Sequence, residues 1–448
     1  MKKYRSYIYG LVIMLLVSIL LVVSVAYYKG KNKTYGKQEG YTVNGNYNSP
    51  EKSYNAYSFS MGTSVSVTFY DAYMGINGNP VSKFEELSND LFSLIRYLDI
   101  DIISWRNTAS MLYKYNNVHV TEELNELKAV IDEDSDHTDL ERKNAETRRE
   151  ELNKRAEILK RILYVSSCIC RDSEGALDIT IRPIAELWGI ESFTGDPEYF
   201  TAPSEDALQD AASSIGYEKL ELYDIPYEMK KLLSDYDGEK TSDDTESLKE
   251  IYLNGVMVDL GAVGKGYALD YIYDNFLNKY LEKNAEHPEK DFNKRGIILA
   301  AGGSIMAAGS RPDGSGFRIG VRDPKGSMKD MVGYIKLTPG CRKVCVSTSG
   351  NYEKYVEKDG VRYHHIIDPS TLHPADSGLV SVTVVCDDTC ILPEYAGLIS
   401  DGLSTACFVL GQEKAEELLK KYKAEAVFID TNGKITVTDG LKDSFVKE

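Results

Sequence analysis

Strand-like runs recur along this chain at uneven intervals, and that spacing limits the folds open to it. Val65-Ser-Val67-Thr-Phe69, inside a first strand read across residues 57–70, alternates with period two. Leu379 to Cys386 is a strong β-branched run. Further strand signals fall at 256–258, 296–321 (split by Gly302-Gly303), 332–337 and 343–348. Helical spacing marks 84–98, 266–280, 400–410 and 414–421. A doubly wound parallel sheet needs strand and helix to alternate as regular βαβ units. No such period exists here, so the chain reads as α+β. Asn432-Gly433, between strands at 426–430 and 435–438, predicts a closing hairpin. The chain contains no internal repeat.

At 448 residues the chain can bury a large core. Its formal net charge of −17 opposes general nucleic-acid binding, which draws its affinity from a basic surface. Met1-Lys-Lys-Tyr-Arg5 is basic, and Leu11 to Tyr28 is an almost unbroken apolar run. That run is near the lower length limit for crossing a bilayer and long for a signal-peptide core. No cysteine follows it, which excludes lipoprotein processing. The expected domain map is a signal anchor over 1–30, with a cleaved signal peptide as the alternative. A linker follows over 31–53, then a globular domain over 54–448. Two charged insertions interrupt that domain. Residues 132–154 read as an insertion or helical hairpin, and residues 224–248 as an acidic loop. Lys2, Lys3 and Arg5 favour a cytoplasmic N-terminus. The expected location is therefore a single-pass cell-membrane protein with its domain outside the cytoplasm.

Six of the seven cysteines fall in close pairs, Cys168/Cys170, Cys341/Cys345 and Cys386/Cys390, with Cys407 single. The pairs lie in apolar or strand-like runs, which disfavours a zinc site. Cys386–Cys390 remains open as a local disulfide or as two reduced core residues.

Two stretches carry the chemistry. Asp401-Gly-Leu-Ser-Thr405 places a carboxylate and a hydroxyl at i and i+4, on one side of a helix. Oxygen donors of this kind suit a hard cation such as Mg²⁺. Asp259-Leu-Gly-Ala-Val-Gly-Lys265 is a glycine-punctuated turn ending in lysine, a shape suited to phosphate. Together they suggest work on a nucleotide pyrophosphate. The plainer alternatives are a helix N-terminal acid at Asp401 and a salt-bridged surface loop at Asp259–Lys265.

These stretches stand in a longer order. It runs Met61-Gly-Thr63, Ala176-Leu-Asp-Ile-Thr180 with Pro183 and Trp188-Gly189, and Asp259 to Gly266. Gly302-Gly303, Thr348-Ser-Gly-Asn-Tyr352, His365-Ile-Ile-Asp-Pro369 and Asp401 to Thr405 complete it. That order resembles the ApbE family, the FAD:protein FMN transferases, from about Tyr57 to the C-terminus. The resemblance implies a mixed sheet-and-helix fold related to the T-fold. It implies an enzyme that splits FAD, attaches FMN through phosphate to a threonine of a partner redox protein, and releases AMP. One example of such an acceptor is a subunit of an ion-pumping or extracellular electron-transfer system. By the same resemblance, Asp401, Thr405 and the main-chain carbonyl of Ala262 are Mg²⁺ ligands. Asp259 and Lys265 are FAD contacts. Met61, Trp105, Ala176, Leu177, Asp178 and Thr348 line the cofactor. His365 touches the flavin and is the candidate general base, since imidazole titrates in the useful range. The bland readings are a core methionine at Met61, a buried ring at Trp105, a plain turn at Thr348–Gly350, and a histidine bonded to Asp368 at His365.

The chain departs from the family pattern at Ala300 and Ser304, where Asn and Asp often flank the Gly-Gly pair, and at Leu372, where Gly is usual. Two other functions stay open. Water in place of the threonine gives an FAD pyrophosphatase yielding FMN and AMP. A flavin-binding protein without turnover is the third, and it has no need of a metal at the pyrophosphate.

Overall fold

The computed structural model describes residues 44–75, 80–117, 119–132, 137–222, 251–281, 294–327 and 329–448. The expected anchor over 1–30, the linker up to residue 43 and the acidic loop over 224–248 lie outside the described residues. No helix among the described residues is long and apolar enough to cross a membrane. Asn44–Asn48, expected in the linker, is instead strand β1, paired antiparallel with β2 (Ser53–Ser60). The sheet therefore begins ten residues before the domain start read at 54.

The main sheet continues through β3 (Thr63–Asp71), β4 (Arg295–Ala301), β5 (Ser304–Gly309), β6 (Cys341–Gly350), β7 (Leu379–Cys386), β8 (Glu425–Asp430) and β9 (Ile435–Val437). Every neighbour pair is antiparallel, and spatial order follows chain order. The single first strand expected across 57–70 is two strands. Met61 and Gly62 take φ of 53° and 70° and turn the chain between Ser60 and Thr63. Positive φ at both central residues matches the right-handed twist of the flanking strands.

Alternation along β6 decides what each face does. Val344 and Val346 enter a core with Phe317, Ile319, Val321, Ile335 and Leu337, from a smaller sheet of Arg318–Arg322, Met331–Lys336 and Phe445–Lys447 and the segments flanking it. Lys343, Ser347 and Ser349 face the other way and bond to helical elements.

The helices that matter are α1 (Ser82–Tyr97), α2 (His119–Ile131), α3 (Asp139–Asp172), α4 (Gly264–Ile272), α5 (Ala396–Leu410) and α6 (Gln412–Tyr422). A capping box between Thr138 and Glu141 starts α3. Arg148 of α3 pairs with Glu123 of α2 at 3.0 Å, which makes the insertion a helical hairpin. The far half of α3, rich in buried residues from Leu159 to Cys170, enters the core. No strand forms at 256–258. There the Asn116 amide bonds both main-chain groups of Val258 at 2.9 Å, and Asp259 N–H donates to Ile179 at 2.8 Å. A side chain has taken the role of a strand partner.

Helix α5 is buried at every residue from Ala396 to Phe408 except Thr405. An apolar helix of that kind belongs at the centre of a fold. The half-buried Thr405 marks the place where its surroundings open.

Candidate active site

Helices α4 and α5 cross with their backbones in contact. A Cβ on Gly266 would run into the carbonyl oxygen of Gly397, and one on Gly397 into that of Gly266. Two glycines at the crossing are the only side-chain choice that permits this approach. The consequence is that Asp401 meets the first turn of α4. Its Oδ2 accepts the Gly266 N–H at 2.9 Å, and its Oδ1 accepts the Ser304 hydroxyl at 3.0 Å. Lys265 Nζ lies 3.6 Å from Oδ2 and donates to the Gly261 carbonyl at 2.8 Å. The two stretches singled out in the sequence therefore meet at one place. Asp401 lies six residues into α5 rather than at its N-terminus, so helix capping does not account for it.

Thr405 follows one turn later. Its Oγ1 lies 3.1 Å from Ser349 Oγ, which lies 2.7 Å from Ser404 Oγ. Thr348 belongs to β6 rather than to a turn after it, and its hydroxyl bonds Thr383 across the sheet at 2.8 Å. Its neighbours Ser347 and Ser349 are the ones that face α5. The sequence offered Ser349 only within the Thr348–Gly350 stretch, as a flavin or phosphate contact or a plain turn, and Ser304 only as a departure, although alternation along β6 distinguishes Ser349 from Thr348.

The side chains of Asp401 and Thr405 offer a carboxylate and a hydroxyl oxygen one turn apart on α5, and the family resemblance adds the Ala262 carbonyl, next to Gly261, as a third oxygen. Asp401 is 5 % exposed, and its lysine neighbour stands too far away for a tight pair. A buried carboxylate with spare lone pairs fits a hard cation. The described residues contain no cluster of three His, Cys, Asp or Glu side chains, so a softer zinc-type site has no support there.

Met61 sits in the β2–β3 turn, where its N–H donates to Asp99 Oδ2 at 2.7 Å. Its Cε would lie 3.8 Å from a Cβ on Gly264, so the side chain reaches the start of α4. Leu177 is buried and approaches α5 at Gly402, with Ala176 half-buried beside it. Asp178 turns inward, and its Oδ1 accepts the N–H and hydroxyl of Thr180 at 2.8 and 2.7 Å. Burial raises its carboxyl pKa, against the pull of those bonds.

A second cluster surrounds Asp259, whose Oδ1 accepts the Gly261 N–H at 2.8 Å. Burial raises the Asp259 pKa, with Arg182 and Arg106 opposing the rise and Glu191 adding to it. Arg106 and Arg182 hold their guanidinium carbons 4.0 and 3.6 Å from the Trp105 ring centroid. Two guanidinium groups cannot share one face at those distances, so they cover both. A flavin stacking on Trp105 has to displace one of them.

His365 follows the hairpin of Tyr355–Lys358 and Val361–His364. Its N–H and its Nδ1 both bond the Lys354 carbonyl, at 3.1 and 3.2 Å. A carbonyl only accepts, so Nδ1 carries the proton and Nε2 keeps its lone pair. Burial pushes the imidazole pKa well down, while the Glu191 carboxylate pulls it up. Lys354 Nζ holds Glu191 at 2.9 Å. Asp368 bonds Ser370 instead, so it does not hold His365. His364 is buried, with Nε2 on the Ala375 carbonyl at 3.0 Å. Glu191, Arg106, Arg182 and Lys354 had no signal in the sequence, because only the fold brings them together.

Comparison with known proteins places the fold and the family. Residues 61–428 match the model of the ApbE family. A Vibrio cholerae protein named FAD:protein FMN transferase is 28% identical over 271 residues, which is 60% of this chain and 65% of that protein. The matched region thus spans less than two thirds of that relative. The ApbE protein of Thermotoga maritima shares the fold with a TM-score of 0.58 at 24% identity, covering 88% of this chain and 99% of that one. The apo flavinyl transferase ApbE of Pseudomonas stutzeri does so at 0.56 and 22%, covering 87% and 96%. With the family model spanning most of its length and the same fold beneath it, the chain belongs to the ApbE family.

Proposed function

We propose that this protein is an FAD:protein FMN transferase. It cleaves the FAD pyrophosphate, joins the FMN phosphoryl group to a threonine hydroxyl of a partner redox protein, and releases AMP. The observation that carries this reading is the meeting of Asp401 with the Gly261–Gly266 turn and Lys265.

The Lys265 ammonium and the positive end of the α4 dipole offer attraction to the pyrophosphate, while the Gly264 and Gly266 N–H groups bond Leu260 and Asp401. Glycines in that turn let the phosphates approach the main chain. The acceptor threonine oxygen attacks the phosphorus on the FMN side, and the bond from that phosphorus to the AMP oxygen breaks. His365 Nε2, with its lone pair free and the imidazole neutral at pH 7, takes the threonine proton. A Mg²⁺ held by Asp401, Thr405 and the Ala262 carbonyl would draw charge from the phosphates and from the departing AMP. The N-terminal apolar run supports a membrane-tethered protein whose catalytic domain meets its acceptor outside the cytoplasm.

The test incubates the full-length protein with FAD, Mg²⁺ and a threonine-bearing acceptor, and follows AMP release and acceptor mass. Covalent FMN on the acceptor is expected. AMP with an unmodified acceptor would identify a pyrophosphatase, and bound, uncut FAD a binding protein.

A further inference from the structure

The orientation of one hydroxyl in the cation site can be worked out bond by bond. Ser404 Oγ lies 2.8 Å from the Asp401 main-chain oxygen. A carbonyl has no proton to give, so Ser404 spends its only proton there. The 2.7 Å bond between Ser404 and Ser349 must then use the proton of Ser349. The 3.1 Å bond between Ser349 and Thr405 must in turn use the proton of Thr405. Three hydroxyls therefore point one way, from Thr405 through Ser349 and Ser404 to a helix carbonyl.

A carboxylate such as Asp401 has no proton to misplace and needs only to be put in position. A threonine hydroxyl can offer a cation either its lone pairs or its proton, and only the lone pairs attract it. We propose that Ser349 and Ser404 are positioning residues that hold the Thr405 proton against β6 and leave its lone pairs for a hard divalent cation. Neither serine needs to touch the ion. This inference rests on the reading of Asp401 and Thr405 as cation ligands.

The structure also contains its own control. One turn earlier Ser400 donates to the Gly397 carbonyl at 2.9 Å and bonds Ser347 at 2.9 Å. That pair repeats the pattern at the same β6–α5 interface, but it does not end on Thr405.

The experiment titrates Mn²⁺, an octahedral oxygen-seeking stand-in for Mg²⁺, into the full-length protein and reads free Mn²⁺ by electron paramagnetic resonance. Ser349→Ala and Ser404→Ala weaken Mn²⁺ binding by roughly tenfold, as loss of a ligand's supporting hydrogen bond does elsewhere. Ser349→Thr keeps the hydroxyl and restores binding, and Ser347→Ala binds as the parent does. Parent-like binding by Ser349→Ala overturns the proposal. So does a Ser349→Thr variant that fails to recover, or an equal loss in Ser347→Ala. Ser349 is half-buried and its alanine variant carries the test alone should the fully buried Ser404→Ala not fold. Asp401→Asn separates the two levels. If it binds Mn²⁺ like the parent, the cation site itself is wrong. If it loses Mn²⁺ while Ser349→Ala does not, only the hydroxyl chain falls.

Discussion

Around Asp401 the backbone sets the geometry, whereas around His365 much of the setting is electrostatic and falls to long, exposed side chains. The inner region is a helix crossing at two glycines, with both carboxylate oxygens of Asp401 receiving donors. Hydrogen bonds to a charged group in such a place contribute about 1.5–3 kcal/mol each. The outer region leans on Lys354 and Glu191, whose side chains are 52% and 43% exposed. A pair that open to water is worth about 0–1 kcal/mol. The inner region should therefore tolerate almost no change, and the Lys354–Glu191 pair of the outer region should tune activity without deciding it.

The sharpest way to break that contrast is Gly266→Ala. Its Cβ would meet the Gly397 carbonyl and stand 2.8 Å from the Asp401 Cβ. Forcing the helices apart is expected to cost about 3 kcal/mol, at the upper end for overpacking. Thermal unfolding should show a clear drop in Tm, with loss of AMP release. An unchanged Tm would mean that the crossing is looser than its geometry. Asp401→Asn comes next. AMP release should fall on the order of 10²–10³-fold, as when one electrostatic group aimed at developing charge is removed. Removing divalent cations with EDTA should mimic it, and added Mg²⁺ should rescue the parent but not the variant.

The same contrast explains what was legible in the sequence. Asp401 and Thr405 could be paired from spacing alone, because a helix fixes the relation of i and i+4. The glycine-lysine turn was equally visible, since its residues are contiguous. Ser349 was within reach, because strand alternation separates it from Thr348. Glu191 was not, since it meets Lys354 across 163 residues of chain. A strand at 256–258 was expected from its valines, and Asn116 displaced it from a distance of 142 residues. The Met61 turn escaped because a methionine at positive φ is an uncommon choice that no propensity announces. Local patterns thus located the inner region, while tertiary pairings alone assembled the outer one.

His365→Ala tests the boundary between the two. FMN transfer to the acceptor should fall by about 10²–10⁴-fold, the usual contribution of a general base. The parent's pH profile carries more information. Burial lowers the His365 pKa, so the imidazole stays neutral and competent below its ordinary range. Activity is retained as pH falls through about 6.5, the unperturbed histidine value, and is lost only at more acidic pH. An acid limb of kcat/KM centred near the ordinary histidine value would remove His365 as a desolvated base.

The smallest effects should come from the exposed pair, and their signs are opposite. The Glu191 carboxylate favours the protonated His365, and the Lys354 ammonium disfavours it. Glu191→Gln removes a stabiliser of the imidazolium, so the acid limb moves to lower pH. Lys354→Met removes a repulsion, so the limb moves to higher pH, while the main-chain carbonyl that holds Nδ1 is untouched. Each displacement should be about half a pH unit or less and shrink as salt is added, because charges this exposed are screened. The double variant should return close to the parent profile, since the two opposing fields leave together. Shifts of the same sign in both single variants would mean that the pair acts by holding the loop in place rather than through its charge. The outer region would then be as geometric as the inner one.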